Sequence, residues 1–493
     1  MVYLIVSDFH LTDGPGSVTE DFHWDSEFRD FLRYRPSRGP VTLILNGDIF
    51  DPLQVLGLPS EGQTRGGVDK QVDITRNDRL RCTERASLYQ VRRILAGHPV
   101  FVEALADFIG RGNSLVVIKG NHDVQLCWAS VQRCFLQNIL CRLPPAARKS
   151  AGKRVMFCPW VYYVPGLLLV EHGNQHEETC SYRNFLAPFL PASSKRRTEQ
   201  IELDLASLLI RYVTNALESV DPLADNVRPL TAFYRMFFFR KPVLLLKTFS
   251  TALYFVLKAF GKAAESHLWR HGKLYQAVVK RNLRMVRYEA RRFLGGKKRP
   301  KAAVLLEEWY AGLASPTLEQ GSGRFLLWAL RPVWSVMLWI LVAAAALIVP
   351  WEPPVVRVIA AVLLFAAGLT WEIRVHWKRP SPLLPDVVEA LRVRAREAVR
   401  ALQVRFVVFG HSHTAEVVRF DKRSAYINTG TWMEVVSDLK GVPKVEHTMT
   451  FARVTPRGAD LLVWDGKRSR PFAPRPFGPR PFGPRPVASP GGK

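Results

Sequence analysis

The sequence predicts an α/β protein in which short buried strands alternate with helices. Short apolar runs recur along the chain, the first two at Tyr3–Val6 and Val41–Leu45. Their length and β-branched composition are typical of buried strands. Helical patterns separate several of these runs, as at Glu84–Leu95 and Pro99–Gly110. Strands that alternate with helices indicate a layered α/β domain whose functional site lies at the carboxyl ends of the strands.

Polar loops follow the predicted strands directly. Further strands are expected at Leu115–Ile118, Leu167–Val170, Arg405–Phe409 and near Ala425. The side chains that follow these strands and can bind a metal are Asp8, His10, Asp48, Asn121, His172, His411 and His413. In an Asp-x-His segment the two side chains project to the same side, because side chains alternate along an extended chain. Mixed histidine, aspartate and asparagine ligands suit manganese, iron or zinc better than calcium.

The loops form five short motifs in a fixed order. They read Asp8-Phe9-His10, Gly47-Asp48-Ile49-Phe50-Asp51, Gly120-Asn121-His122-Asp123, His172-Gly173 and Gly410-His411-Ser412-His413. This order resembles the calcineurin-like metallophosphoesterase superfamily, over residues 1 to about 180 and about 400 to 455. The resemblance implies a four-layer α-β-β-α sandwich. It also implies two divalent metal ions, manganese before iron or zinc, and hydrolysis of a phosphoric ester by a metal-activated hydroxide.

The resemblance further implies a role for each ligand. One metal would be held by Asp8, His10 and His413, the other by Asn121, His172 and His411, with Asp48 bridging the two. His122 would be the catalytic residue that assists the leaving group or stabilises negative charge. For Asp51 and Asp123 two interpretations stay open, because each carboxylate can orient a site residue or stabilise a turn.

Composition restricts the partners. The chain has 69 Lys+Arg against 43 Asp+Glu, a net charge of +26, which favours anionic partners such as phosphorylated substrates, acidic lipids or nucleic acid. The segment Asp8-Phe9-His10-Leu11 also resembles, more weakly, the bacterial UDP-2,3-diacylglucosamine pyrophosphatases. This chain departs from that branch at His122, where an arginine is usual, and in its longer insert. The weaker resemblance implies a substrate that is lipid-linked or nucleotide-like. Nucleic acid is less favoured, because the positive charge maps onto the insert rather than around the site.

A long segment is expected to divide the catalytic domain. We expect residues 1–180 and 380–466 to form its two parts, and residues 181–323 to form a helical, basic, amphipathic insert. The apolar stretches 332–349 and 355–373, inside 324–379, predict a transmembrane hairpin, with a buried hairpin as the alternative. Basic flanks then predict a multi-pass inner-membrane protein with its catalytic domain and both termini in the cytoplasm. The Pro/Arg/Phe-rich stretch 467–493 predicts a disordered tail.

The sequence therefore predicts a membrane-anchored dinuclear-metal phosphoesterase that cleaves a phosphomonoester, phosphodiester or pyrophosphate bond. Two alternatives belong to other classes: a nucleic-acid phosphodiesterase, and a non-catalytic membrane-bound scaffold that binds metal. The six cysteines show no CxxC pair and indicate a reducing compartment.

Overall fold

The structure is a computed structural model in which the described residues form an α/β fold with mixed sheets. It describes residues 1–34, 39–56, 82–190, 198–211, 273–292, 300–313, 338–348, 353–378, 387–439, 442–447 and 449–472, with the separate positions 215, 227, 228 and 261. The predicted α/β class is confirmed for this part of the chain.

The strands match the apolar runs of the sequence and add an antiparallel group near the end of the chain. They are β1 (Val2–Val6), β2 (Val41–Asn46), β3 (Ser114–Ile118), β4 (Val155–Cys158), β5 (Val161–Val164), β6 (Leu168–Glu171), β7 (Phe189–Leu190), β8 (Gln200–Ile201), β9 (Val227–Arg228), β10 (Phe406–Phe409), β11 (Glu416–Arg419), β12 (Ala425–Asn428), β13 (Glu434–Leu439), β14 (Val442–His447), β15 (Thr450–Val454), β16 (Ala459–Trp464) and β17 (Ser469–Pro471).

The helices lie mostly between the parallel strands. They are α1 (Asp25–Arg33), α2 (Glu84–Gly97), α3 (Pro99–Gly110), α4 (Ala129–Leu140), α5 (Pro145–Gly152), α6 (Leu205–Leu209), α7 (Lys273–Arg292), α8 (Pro300–Leu313), α9 (Pro354–Lys378) and α10 (Val387–Leu402). Residues 338–348 are also helical.

Two sheets form the centre of the fold. The first runs β17-β16-β15-β1-β2-β3-β4, and the second runs β11-β12-β10-β6-β5. In β1, Tyr3 and Ile5 join one core cluster with β6 and β10 residues such as Val170 and Val408, while Leu4 and Val6 join another. Because alternate side chains of a strand face opposite sides, one face of each sheet packs on the other sheet and the opposite face packs on helices.

Helices from the long central segment pack into this core. On α10, the buried side chains Leu391, Ala395, Ala398 and Leu402 recur at helical spacing and face the second sheet. From α8, the Tyr310 ring packs against Trp160, with ring centroids 4.6 Å apart. On α7, Asn282 accepts a 3.0 Å hydrogen bond from the backbone N–H of Leu186. These helices are therefore part of the hydrophobic core that supports the second sheet.

The prediction of a membrane-spanning hairpin is wrong. Among the described residues, no helix has the length and apolar character needed to span a bilayer, which contradicts the predicted two-helix hairpin and the multi-pass inner-membrane localisation. Of the first predicted span, 332–349, residues 332–337 and 349 lie outside the described residues, and the second predicted span, 355–373, lies within α9. In α9, Arg357 and Glu372 leave 358–371 as the longest uncharged stretch. It is roughly 21 Å long at about 1.5 Å per residue, short of the about 30 Å of a bilayer core.

The first sheet extends into the stretch that the sequence assigns to the tail. Strand β17 pairs antiparallel with β16, with Val463 opposite Arg470. Residues 473–493 lie outside the described residues, so the predicted disorder there stays a prediction. The predicted boundaries of the catalytic domain and its insert also stay predictions.

Candidate metal centre

The loops that follow five parallel strands meet at one edge of the two sheets. The backbone N–H of Asp8 donates to the carbonyl of Gly47 at 3.2 Å, and that of Gly410 donates to the carbonyl of His172 at 2.9 Å. Between the sheets, the backbone N–H of His411 donates to both carboxylate oxygens of Asp8, at 3.2 and 3.1 Å. Motifs that lie about 400 residues apart in the sequence therefore share one hydrogen-bonded cluster.

The first group of potential ligands contains Asp8, His10 and His413, whose ligand atoms all lie within 4.8 Å of one another. His413 Nε2 lies 3.3 Å from Asp8 Oδ1 and 3.2 Å from His10 Nε2. All three side chains are largely buried, so a cation bound here would face few competing water molecules.

The second group contains Asp48, His172 and His411, again within 4.8 Å. His172 Nδ1 donates to the carbonyl of Asn46 at 2.9 Å, and its Nε2 lies 2.9 Å from Asp48 Oδ2. The backbone contact fixes the tautomer, which leaves Nε2 as the nitrogen available to a metal. Asp48 also forms a group with His10 and His122, so its carboxylate lies between the first and second groups.

The residues fit a metal. Asn121 Oδ1 is buried and has no hydrogen-bond partner among the described residues. A buried polar oxygen without a partner is costly, and coordination to a cation would satisfy it. Imidazole nitrogens and carboxylate oxygens are ordinary ligands of divalent transition metals. These buried histidine and aspartate groups can therefore hold metal ions.

The carboxylates of the centre are kept ionised by their histidine neighbours. Burial alone raises the pKa of Asp48, but the charges of His172 and His122 outweigh it and hold the pKa well below its usual range. Burial lowers the pKa of His172, whereas the Asp48 carboxylate raises it, and the balance brings this pKa to about 9. The cluster thus holds negatively charged carboxylates beside positively charged histidines. A bound metal ion would change the contacts between them.

His122 contacts a carboxylate of its own. Its Nδ1 lies 2.5 Å from Asp51 Oδ2. Burial lowers the pKa of His122, but Asp51 and then Asp48 raise it, to about 10. Asp51 is thus positioned to orient His122. Asp123 instead accepts backbone hydrogen bonds, at 2.6 Å from Gly120 and 2.8 Å from Ile49, and so joins two of the loops.

Several ligands have a strained backbone. Five of the predicted ligands have positive φ angles: Asp8 (58°), His10 (51°), Asp48 (50°), His411 (68°) and His413 (56°). Residues other than glycine rarely adopt this conformation, which costs about 1–3 kcal/mol each and occurs preferentially at functional sites. The strain accompanies the close approach of the loops that the cluster requires.

Sequence reasoning missed two neighbours of the second group. Glu177 Oε2 lies 2.7 Å from His411 Nε2, and Glu177, Cys180 and His411 form a further group of potential ligands. Both missed residues follow His172 in the same loop, and that proximity was the available signal. Tyr182, further along this segment, donates to the carbonyl of Asn121 at 3.2 Å.

The structure places the ligand atoms of six predicted ligands in groups that overlap: Asp8, His10, Asp48, His172, His411 and His413. Asn121 precedes His122, whose backbone N–H donates to Asp48 Oδ1 at 2.9 Å. The assignment of these residues as metal ligands stays a prediction. No protein-family model matches the chain, and comparison with curated proteins gave no match. The resemblance of the motifs to metallophosphoesterases therefore remains a prediction.

Proposed function

We propose that the protein is a metal-dependent phosphoric ester hydrolase of the metallophosphoesterase type. One observation carries the proposal: Asp48 belongs both to a group with His172 and His411 and to a group with His10. A carboxylate shared in this way suits a bridge between two divalent cations. The proposed ligands are Asp8, His10 and His413 for one ion, Asn121, His172 and His411 for the other, and Asp48 for both, with manganese as the first candidate metal.

The expected chemistry divides between the metals and the chain. Two bound cations would neutralise phosphate charge and make a water molecule nucleophilic. The chain supplies His122, whose ring Asp51 holds at 2.5 Å and whose pKa the Asp51 charge raises. A cationic imidazole can stabilise negative charge on the phosphoryl group or give a proton to the departing oxygen. The role of Asp51 is to fix the ring, because its carboxylate occupies the Nδ1 side and leaves Nε2 for the substrate.

The substrate is proposed to be a phosphorylated molecule that is lipid-linked or nucleotide-like. Helix α7 supports an anionic partner, because four exposed basic residues recur on one helical face: Lys280, Arg284, Arg287 and Arg291. Such a face favours anionic groups through long-range electrostatics. Binding of anionic lipids by this helix remains part of the proposal.

A substrate panel tests the proposal. Purified protein with manganese would be assayed on lipid phosphates, nucleotides, nucleic acids and bis-p-nitrophenyl phosphate, beside Asp48→Ala and the exposed control Asp107→Ala. Asp48→Ala should lower turnover by more than about 100-fold. Substitution of residues that only contact metal ligands already lowers metal affinity or activity by about 10–100-fold. The control should retain wild-type turnover.

Two results would contradict the proposal. Full activity of Asp48→Ala would exclude the shared carboxylate, and absence of hydrolysis of every substrate with metal demonstrably bound would favour a non-catalytic scaffold. If the protein cleaved only nucleic acid, and did so in a salt-sensitive manner, the proposed substrate class would be wrong and nucleic acid would be the substrate.

A further inference from the structure

The loop that follows β6 carries a second set of metal-binding side chains beside the centre. The backbone N–H of Cys180 donates to the carbonyl of Glu177 at 3.1 Å, which closes a tight turn. This turn brings the carboxylate and the thiol to the same neighbourhood as His411. Ligand atoms of all three side chains lie within 4.8 Å of one another.

We propose that Glu177, Cys180 and His411 form an additional binding position for a thiophilic divalent cation such as zinc. The position adjoins the one formed by Asp48 and His172 and shares His411 with it. Carboxylate, thiolate and imidazole are each ordinary ligands of zinc, and the thiolate disfavours magnesium, calcium and manganese. The additional position therefore selects a softer cation than the one proposed for hydrolysis.

Burial and access both suit a bound ion. Cys180 is 7% exposed, and the side chain of His411 is 6% exposed while that of Glu177 is 26% exposed. The thiol and imidazole are thus shielded from water, and the carboxylate is partly exposed to solvent. Binding would release the thiol proton to solvent, since the thiolate is the form that coordinates metal.

A further carboxylate, that of Asp204, lies near this turn. Asp204 is 6% exposed, and its Oδ2 has no hydrogen-bond partner among the described residues. The carboxylates of Glu177 and Asp204 both act electrostatically on the Cys180 thiol, and a cation bound by the thiolate would offset their negative charge.

Sharing of His411 has a functional consequence. The imidazole lies in the groups of both positions, so zinc held by Glu177 and Cys180 would compete for a ligand of the adjoining metal. Excess zinc should then inhibit manganese-supported turnover. Cation binding at this position does not depend on the proposed hydrolysis, whereas this inhibition rests on it.

Cobalt(II) is the probe for binding, because a thiolate ligand gives cobalt a near-ultraviolet charge-transfer band. The chelator-treated full-length protein would be titrated with Co²⁺ beside Cys180→Ser, Glu177→Gln and the equally buried control Cys134→Ser. The wild type and the control should show the band, and Cys180→Ser should lose it. For Glu177→Gln, the cobalt affinity measured from this band should be lower on the order of 10-fold.

The wild-type spectrum decides the question even if Cys180→Ser fails to fold, which circular dichroism would reveal. Absence of a thiolate band in the wild type, or its persistence in a folded Cys180→Ser, would overturn the additional position. Glu177 would then act as a hydrogen-bond partner of His411 and Thr179 without binding a cation.

Zinc inhibition is measured on the same proteins with manganese and bis-p-nitrophenyl phosphate. Half-inhibition of Cys180→Ser should require at least about 10-fold more zinc than half-inhibition of Cys134→Ser. Equal zinc sensitivity would overturn the competition for His411. Absence of hydrolysis in the wild type would instead refute the proposed function, and the cobalt spectrum would still decide whether the position binds a cation.

Discussion

Asp51 is not one of the proposed metal ligands, but its carboxylate contacts His122 at 2.5 Å. Asp51→Asn keeps the size of the side chain and removes its charge. We expect kcat to fall by at least about 100-fold, the usual contribution of general acid catalysis. Because Asp51 Oδ2 also lies 3.5 Å from His10 Nδ1, manganese is kept at saturation, and KM should then change little. Steady-state kinetics with manganese measures both constants.

The control for this variant is the melting temperature, which should stay close to that of the wild type. A kcat within twofold of the wild-type value in a folded protein would show that Asp51 does not position His122 for the reaction.

His98 provides a separate residue-scale prediction, away from the centre. Its Nε2 lies 2.9 Å from Glu20 Oε2 and its Nδ1 lies 3.0 Å from Asp25 Oδ2. Burial lowers the pKa of His98, but Asp25 and Glu20 raise it from 6.5 to about 9. Because the folded pKa exceeds the unfolded one, the stabilisation is complete below about pH 6.5 and is lost as the pH rises through about 9.

His98→Asn removes this contribution and should make the free energy of unfolding less dependent on pH. The difference between wild type and variant should shrink by about 3 kcal/mol between pH 6.5 and 9.5, at about 1.4 kcal/mol per pKa unit. Urea unfolding at both pH values measures it. A constant difference across this range would mean that His98 is not held cationic in the folded protein.

Asp48 and Glu177 differ in how well their positions at the centre could be predicted from the sequence. Asp48 follows an apolar strand within a recognisable motif, so its place at the centre was predictable. Glu177 makes its contact with His411 across 234 positions of the sequence. Its proximity to His172 in the sequence indicates a place near the centre, but the contact itself depends on how the loop after β6 turns in space.

At the scale of elements, the loops approach so closely that one of their glycines has no room for a side chain. A Cβ at Gly410 would overlap the side chains of Ser7 and Asp8. Gly410→Ala should therefore push the loop away and weaken manganese binding on the order of 10-fold or more, as displaced supporting contacts do at metal sites. Isothermal titration with Mn²⁺ measures the affinity.

Gly458→Ala is the matched control, since a Cβ there meets no atom within 4 Å. This change should leave manganese affinity unaltered and alter stability by no more than about 0.5 kcal/mol. Equal manganese affinity in the two variants would show that close contact of the loops is not needed for the centre.

The positions of the strands in the sequence were easier to predict than the partner with which each strand pairs. The apolar runs at β1, β2 and β3 are visible in the sequence, and these strands pair in parallel. The parallel pairing of β6 with β10 could not be predicted from the residues, because hydrophobic pattern marks a buried strand without selecting its partner. Helix α9 was predicted wrongly for a different reason. Its apolar composition indicated a membrane span, and the charges at its two ends were given too little weight.

At the scale of the whole molecule, the two parts of the metal centre are held by a shared core. Helices α7, α8 and α10 contribute Val286, Leu306 and Leu391 to the same cluster as β1 residues such as Leu4. The long segment between His172 and His411 therefore returns to the fold beside the strands that carry these ligands. Folding of that core is what brings together the ligands from the two ends of the chain.

Stepwise metal addition tests the central claim most directly. The protein would be stripped with a chelator, and hydrolysis of bis-p-nitrophenyl phosphate would be measured as Mn²⁺ is added in known molar ratios. We expect negligible turnover without metal and a rise that reaches its plateau when two ions are bound per chain. Turnover that persists in the chelator, or a protein that binds manganese and hydrolyses nothing, would contradict the account.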